Sequence, residues 1–146
     1  MRKTEIKSRL QDIIDTIQAF RDDLHDILEP YYVIESRLDD LYEAQEQTGI
    51  ILEVDYDYVQ ESAFRDIVKA NDMWSNIGLE FNNLICDFEE WEDEVSQRRA
   101  LQIREVYIEV LENIRADINI NEVDDECGLD HMLIDIQNKL IDFKIQ

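Results

Sequence analysis

Residues 4–27, TEIKSRLQDIIDTIQAFRDDLHDI, place apolar side chains at Ile6, Leu10, Ile13, Ile17, Phe20, Leu24 and Ile27, alternately four and three residues apart. That spacing is the a/d repeat of a helix burying one seam, and Thr4 suits the N-cap in front of it. The phase continues through Tyr31, Ile34, Leu38 and Leu41, past Pro30, whose missing N–H and ring disturb the preceding turn. Unbroken phase predicts a kink at Pro30; the alternative is a helix ending near Leu28 and a second one starting with Pro30. Gly49, after Thr48, suits the left-handed position that ends the element.

Beyond it the period falls to two. Leu52, Val54, Tyr56 and Tyr58 alternate with Glu53, Asp55 and Asp57, which reads as a strand or an extended connector. No second strand stands ready to pair with it, so a connector packed on helices is expected. From about Asp57 the helical period returns, with Phe64, Ile67, Trp74, Ile77, Phe81, Leu84, Ile85, Phe88, Trp91 and Val95 on one broad face. This predicts a second long helix, weakened at Gly78 by about 1 kcal/mol relative to Ala. Ser96 is placed to cap a third, with Ile103, Val106, Tyr107, Val110, Ile114 and Ile118 facing inward. Residues 119–128 read as an acidic loop, and Asp130 as the cap of a short helix using Leu133, Ile136, Leu140 and Phe143. The expected fold is all-α: residues 1–146 form a single acidic helical domain, long antiparallel helices in an elongated bundle with a short C-terminal helix.

The composition sets the partners. The 146 residues are 45% hydrophobic, enough for a core, yet 36 acids face 14 bases for a net charge of −22. Small soluble domains usually carry a magnitude of about 2 to 8. Such a chain does not itself follow a phosphate backbone or coat an anionic membrane, since both demand Lys and Arg. No apolar segment suits export or membrane spanning, and Cys86 and Cys127 form no C-x-x-C pair. A cytoplasmic protein with reduced thiols is expected, Cys86 being turned toward the core.

The charge is also sorted. With Leu10 at position a, Asp15, Asp22, Glu29 and Glu43 fall at f and Glu5, Asp12, Asp26 and Asp40 at c, away from the seam, while Lys7, Arg21 and Glu35 at e and Arg9, Asp23 and Arg37 at g flank it. Residues 49–95 carry thirteen acids against two bases. Six of those acids, Asp87, Glu89, Glu90, Glu92, Asp93 and Glu94, lie within eight positions, interrupted by Phe88 and Trp91, which should turn inward. Glu53, Asp55 and Asp57, if extended, would project from one side about 6.6 to 7 Å apart, near the separation of successive phosphates. These two clusters, with Asp15, Asp22, Asp26 and Glu29 of the first helix, are the candidate partner-binding residues. Closely spaced carboxylates on a rigid support offer a basic groove what nucleic acid offers it.

In charge and helicity the chain resembles the small acidic DNA-mimic inhibitors that phages and mobile elements direct against CRISPR effectors and restriction enzymes. The likeness rests on residues 87–94, residues 53–57 and the acidic face of the first helix; it is one of character over the whole chain, with no alignable motif and no site residues to carry over. It implies an inhibitor of a basic nucleic-acid-binding protein, a nuclease or effector complex. Two other readings use the same residues: a helical scaffold associating through the heptad seam, as a homodimer or on a partner helix, and an immunity or antitoxin protein.

Catalysis has little footing. Asp22 and His25 give one Asp-x-x-His, whereas a carboxylate-bridged two-metal bundle needs Glu-x-x-His from two helices and two further Glu. Carboxylates three apart at Glu89 and Glu92, Glu109 and Glu112, and Glu122 and Asp125 have the spacing of Mg²⁺ sites, but such pairs are common in so acidic a chain. No phosphate-binding glycine loop, nucleophile elbow or Cys/His constellation is visible. Neither enzyme activity nor a cofactor is expected.

Overall fold

The computed structural model describes residues 2–91 and 97–145. Among them are seven α-helices and one 3-10 turn, with no strand, so the chain is an all-α bundle. The helices are α1 (Lys3–Asp22), α2 (Leu24–Ile27), α3 (Glu29–Thr48), α4 (Tyr56–Lys69), α5 (Asp72–Glu89), α6 (Gln97–Ala116) and α7 (Glu126–Ile141), with the 3-10 turn at Ile120–Glu122.

The heptad seam is the centre of the molecule. Ile6, Leu10, Ile13, Ile17 and Phe20 of α1 are all buried, because α1 lies between α5 and α7. Both neighbours run antiparallel to it, as the cross-links show: Arg9 to Asp87 and Thr16 to Glu80 on α5, Arg21 to Asp130 and Ile14 to Gln137 on α7. α6 closes the group against α5 and α7, where Tyr107 stacks between Phe88 and Phe143, both ring centroids 5.3 Å away. α3 packs instead on α4, forming an antiparallel hairpin joined to the core through Tyr31 and Phe64, 5.2 Å apart edge to face.

Several boundaries differ from the sequence reading. The first rod has two interruptions, at Asp23 and Leu28, both with ψ near 0°. Helical i to i−4 bonds bridge them (Ile27 to Asp23, Leu28 to Leu24, Tyr32 to Leu28), and Pro30 sits in the first turn of α3, where an N–H is dispensable. Phase is therefore kept although the helix is segmented. The second long helix is broken at Ala70 and Asn71, because the Asn71 side chain accepts the Met73 N–H and starts α5 anew. α7 is capped by Asp125, which accepts the Gly128 N–H at 2.6 Å; Asp130 is inside the helix, paired with Arg21. On α6 the buried residues are Tyr107, Leu111 and Ile114, while Val106 and Val110 are exposed, so the inner face is rotated from the expected one. Cys86, expected inward, faces solvent beside buried Ile85. Ser96 lies outside the described residues.

Phe81 is fully buried at the α5 face of the core, whereas a methyl added at Gly78 would meet nothing within 4 Å. Urea denaturation should therefore show Phe81→Ala losing about 3–5 kcal/mol and Gly78→Ala gaining about 0.4–1 kcal/mol.

Candidate functional site

The expected acidic residues fall into three places along the molecule, and the structure does not gather them into one pocket. Asp15, Asp22, Asp26 and Glu29 line the outward side of the rod formed by α1, α2 and the start of α3, together with Glu5 and Asp12, and all are exposed. Burying the a/d seam fixes the phase of the helix, and that phase turns c and f positions to water. Asp15 and Asp22 accept side-chain amide bonds from Gln11 and Gln18, and no cation lies within ion-pair distance of any of the six among the described residues.

The second place is the end of α5. Phe88 is buried and Trp91 packs on the core, as the aromatic interruption predicted, which leaves Glu89 and Glu90 exposed. Asp87 behaves differently: it is half-buried and accepts from Arg9 at 2.6 Å, clamping α5 to α1. Glu92, Asp93 and Glu94 lie outside the described residues. Carboxylates at a helix C-terminus face the negative end of its dipole, and the last turn of α5 carries no base. The free carbonyls there are served from α6, since Arg104 donates to the Glu89 and Trp91 carbonyl oxygens, both at 3.2 Å.

The third place is the tip of the α3–α4 hairpin. Glu53, Asp55 and Asp57 do not form the expected extended ladder. Only Glu53 is in the connector; Asp55 caps α4 by accepting the Tyr58 N–H at 3.1 Å, and Asp57 stands in the first helical turn. All three remain exposed.

Six of the fourteen bases are instead engaged within the fold. Arg9, Arg21 and Lys139 pair with Asp87, Asp130 and Asp117 across helix boundaries, and Arg65 reaches Asp124 at 4.0 Å. Arg115 donates to Asn82 of α5, and Arg104 bonds the carbonyls already described. Arg21 also donates to Gln137, the buried polar residue of the core, whose amide reaches the Ile14 carbonyl and Gln18. Sequence spacing carried no sign of these pairings, which join residues up to 123 positions apart.

No group of three or more His, Cys, Asp or Glu side chains converges as a metal site among the described residues. Asp125, one of the carboxylates with Mg²⁺-site spacing, is occupied as the α7 cap. Cys127, expected in a loop, is in the first turn of α7 with Sγ 4.0 Å from His131 Nδ1, both exposed. The seam that a coiled-coil scaffold would use is internal from Ile6 to Tyr31. No helix of the described residues is long and apolar enough to cross a membrane. Neither a protein-family model nor a curated protein nor a solved structure matches the chain.

One junction couples titration to packing. Burial, then the hydrogen bond to Glu126 and its negative charge, push the Tyr32 hydroxyl up to about 12, and burial also raises neighbouring Tyr31. The folded protein thus holds a phenol proton that the unfolded chain releases near pH 10. The stability from this difference is intact below about pH 10 and is lost as pH rises toward 12; urea midpoints measured across that range should fall less steeply in Tyr32→Phe.

Proposed function

We propose that this protein is a DNA-mimic-like inhibitor that occupies the basic nucleic-acid groove of a nuclease, effector complex or other nucleic-acid-binding protein, and that it acts by occupancy without catalysis. The observation that carries this reading is the segregation of sign. Six of the fourteen Lys and Arg residues are tied to carboxylates, carbonyls or amides of the chain itself, while Asp12, Asp15, Asp22, Asp26 and Glu29 stand along one side of a rod with no cation in ion-pair distance among the described residues. Surfaces selected for solubility alone mix the signs, because like charges three or four residues apart cost about 0.2–0.5 kcal/mol per pair. A line of carboxylates on a helical support spans a long groove better than a pocket would, and Arg and Lys in that groove would meet them through charge-assisted hydrogen bonds.

The test is capture of proteins from a nuclease-treated bacterial lysate on the immobilised full chain, eluted along a salt gradient. Nucleic-acid-binding proteins should elute steeply with salt and be displaced by duplex DNA. Partners that ignore duplex DNA, a basic toxin among them, would overturn the mimic reading. Asp12→Lys with Asp15→Lys should weaken capture about tenfold or more by removing steering charge. Glu89→Lys with Glu90→Lys should weaken it as well, yet gain about 0.3–1 kcal/mol of stability per site, since cations suit a helix C-terminus. Circular dichroism melts of the same variants separate loss of binding from loss of fold.

A further inference from the structure

The hairpin tip carries a second recognition element that charge alone does not describe. Ile50, Ile51, Leu52 and Tyr58 are exposed, Ile51 at 86%, Tyr58 at 67% and Ile50 at 63%, in a chain whose other long apolar residues mostly reach the core. The connector that carries Ile50, Ile51 and Leu52 is anchored at both ends. Gly49 (φ 70°) ends α3 by donating to the Gln45 carbonyl, the Asp55 carboxylate caps α4, and the Tyr56 hydroxyl ties the connector back to Gln45. Beside them, between α3 and α4, is an open groove of about 410 Å³ lined by Leu38, Tyr42 and Val54 and by the carboxylates of Asp39, Asp55 and Asp57.

We infer that this tip is the docking element for the basic partner: the apolar connector seats on an apolar patch of that protein, and the groove receives a Lys or Arg side chain projecting from it. The inference rests on the function proposed above for the class of partner. Charge complementarity selects the occupant. Residues 38–61 contain eight acids, all exposed, and no base. A second copy would set carboxylates against carboxylates, and an anionic lipid surface would be repelled. A cationic side chain has an apolar stem for Leu38 and Val54 and a charged head for the aspartates, with the Tyr42 ring available to a guanidinium. An apolar centre within a charged rim is also the usual anatomy of a protein interface.

The probes are three synthetic dodecapeptides, alternating Arg–Leu, Arg–Ser and Glu–Leu, titrated into the isotopically labelled full chain and followed by amide chemical shifts. The Arg–Leu peptide should move the amides of residues 50–58 first, Arg–Ser should bind about tenfold more weakly, and Glu–Leu should leave the tip unmoved. Ile51→Ser with Leu52→Ser lies outside the helices and should reduce Arg–Leu affinity about tenfold with unchanged helicity. Asp39→Asn, Asp55→Asn and Asp57→Asn together should reduce it comparably, and Asn at position 55 preserves the cap. Shifts confined to α1, equal binding of Arg–Ser, no binding at all, or self-association abolished by Ile51→Ser with Leu52→Ser would each overturn the inference. The two readings fail separately: duplex-DNA competition with a silent tip removes only this one, and tip binding without duplex-DNA competition removes only the mimic.

Discussion

Everything in this molecule depends on the burial of one helical seam on two sides. Ile6, Leu10, Ile13, Ile17 and Phe20 are nearly inaccessible because α5 and α7 close on α1 from opposite flanks. A helix held on both sides has no rotational freedom, so the phase of its apolar residues decides the fate of every charged one. Arg9 and Arg21, flanking the seam, find carboxylates on α5 and α7; the acids at c and f find water. The same contacts that build the bundle thus draw Arg9 and Arg21 toward its helix boundaries, while the c and f acids stay in water.

The hairpin obeys a different constraint. Tyr31 is the one buried residue of α3, and beyond the Tyr32 bond to Glu126 the helix is held mainly by α4, through Gln60, Tyr56 and their partners. Order at the tip comes from caps, a left-handed glycine and a tyrosine hydroxyl, with no core beneath it. Such an element gains less from folding than the bundle does and sits at the low end of local stability. Its exposed Ile51 therefore contributes nothing to the fold that a polar residue would not, which supports a role for it outside the chain.

The seam, the return to helical period near Asp57 and the inward turn of Phe88 were legible because each is a repeated apolar signal. What failed was local or long-range. Asn71 and Asp125 start helices through one side-chain oxygen each, a signal hard to distinguish in a chain so rich in Asp and Asn. α6 is apolar on too much of its circumference for periodicity to choose a face; Phe88 and Phe143, gripping Tyr107, choose it. The alternation around Asp55 resembled a strand because an N-cap residue is itself extended before the helix it begins. Asp87 was read with its acidic neighbours, but Arg9, 78 positions away, makes it part of the scaffold.

That reassignment sharpens the meaning of the acids that remain. Asp87, Asp117 and Asp130 stabilise helix contacts, and Asp125 begins α7, so their presence is explained by the fold alone. Glu89 and Glu90 are not explained in that way. They stand at the end of α5 where the helix dipole disfavours negative charge, and Arg104 of α6 bonds the carbonyls there. Asp12, Asp15, Asp22, Asp26 and Glu29 stand along a single face with no ion-pair partner among the described residues, although Gln11 and Gln18 donate to Asp15 and Asp22 and first-turn positions suit Asp26 and Glu29. On the function proposed above, carboxylates kept at positions where the fold would favour neutrality or the opposite sign are the ones that a groove lined with Lys and Arg would meet.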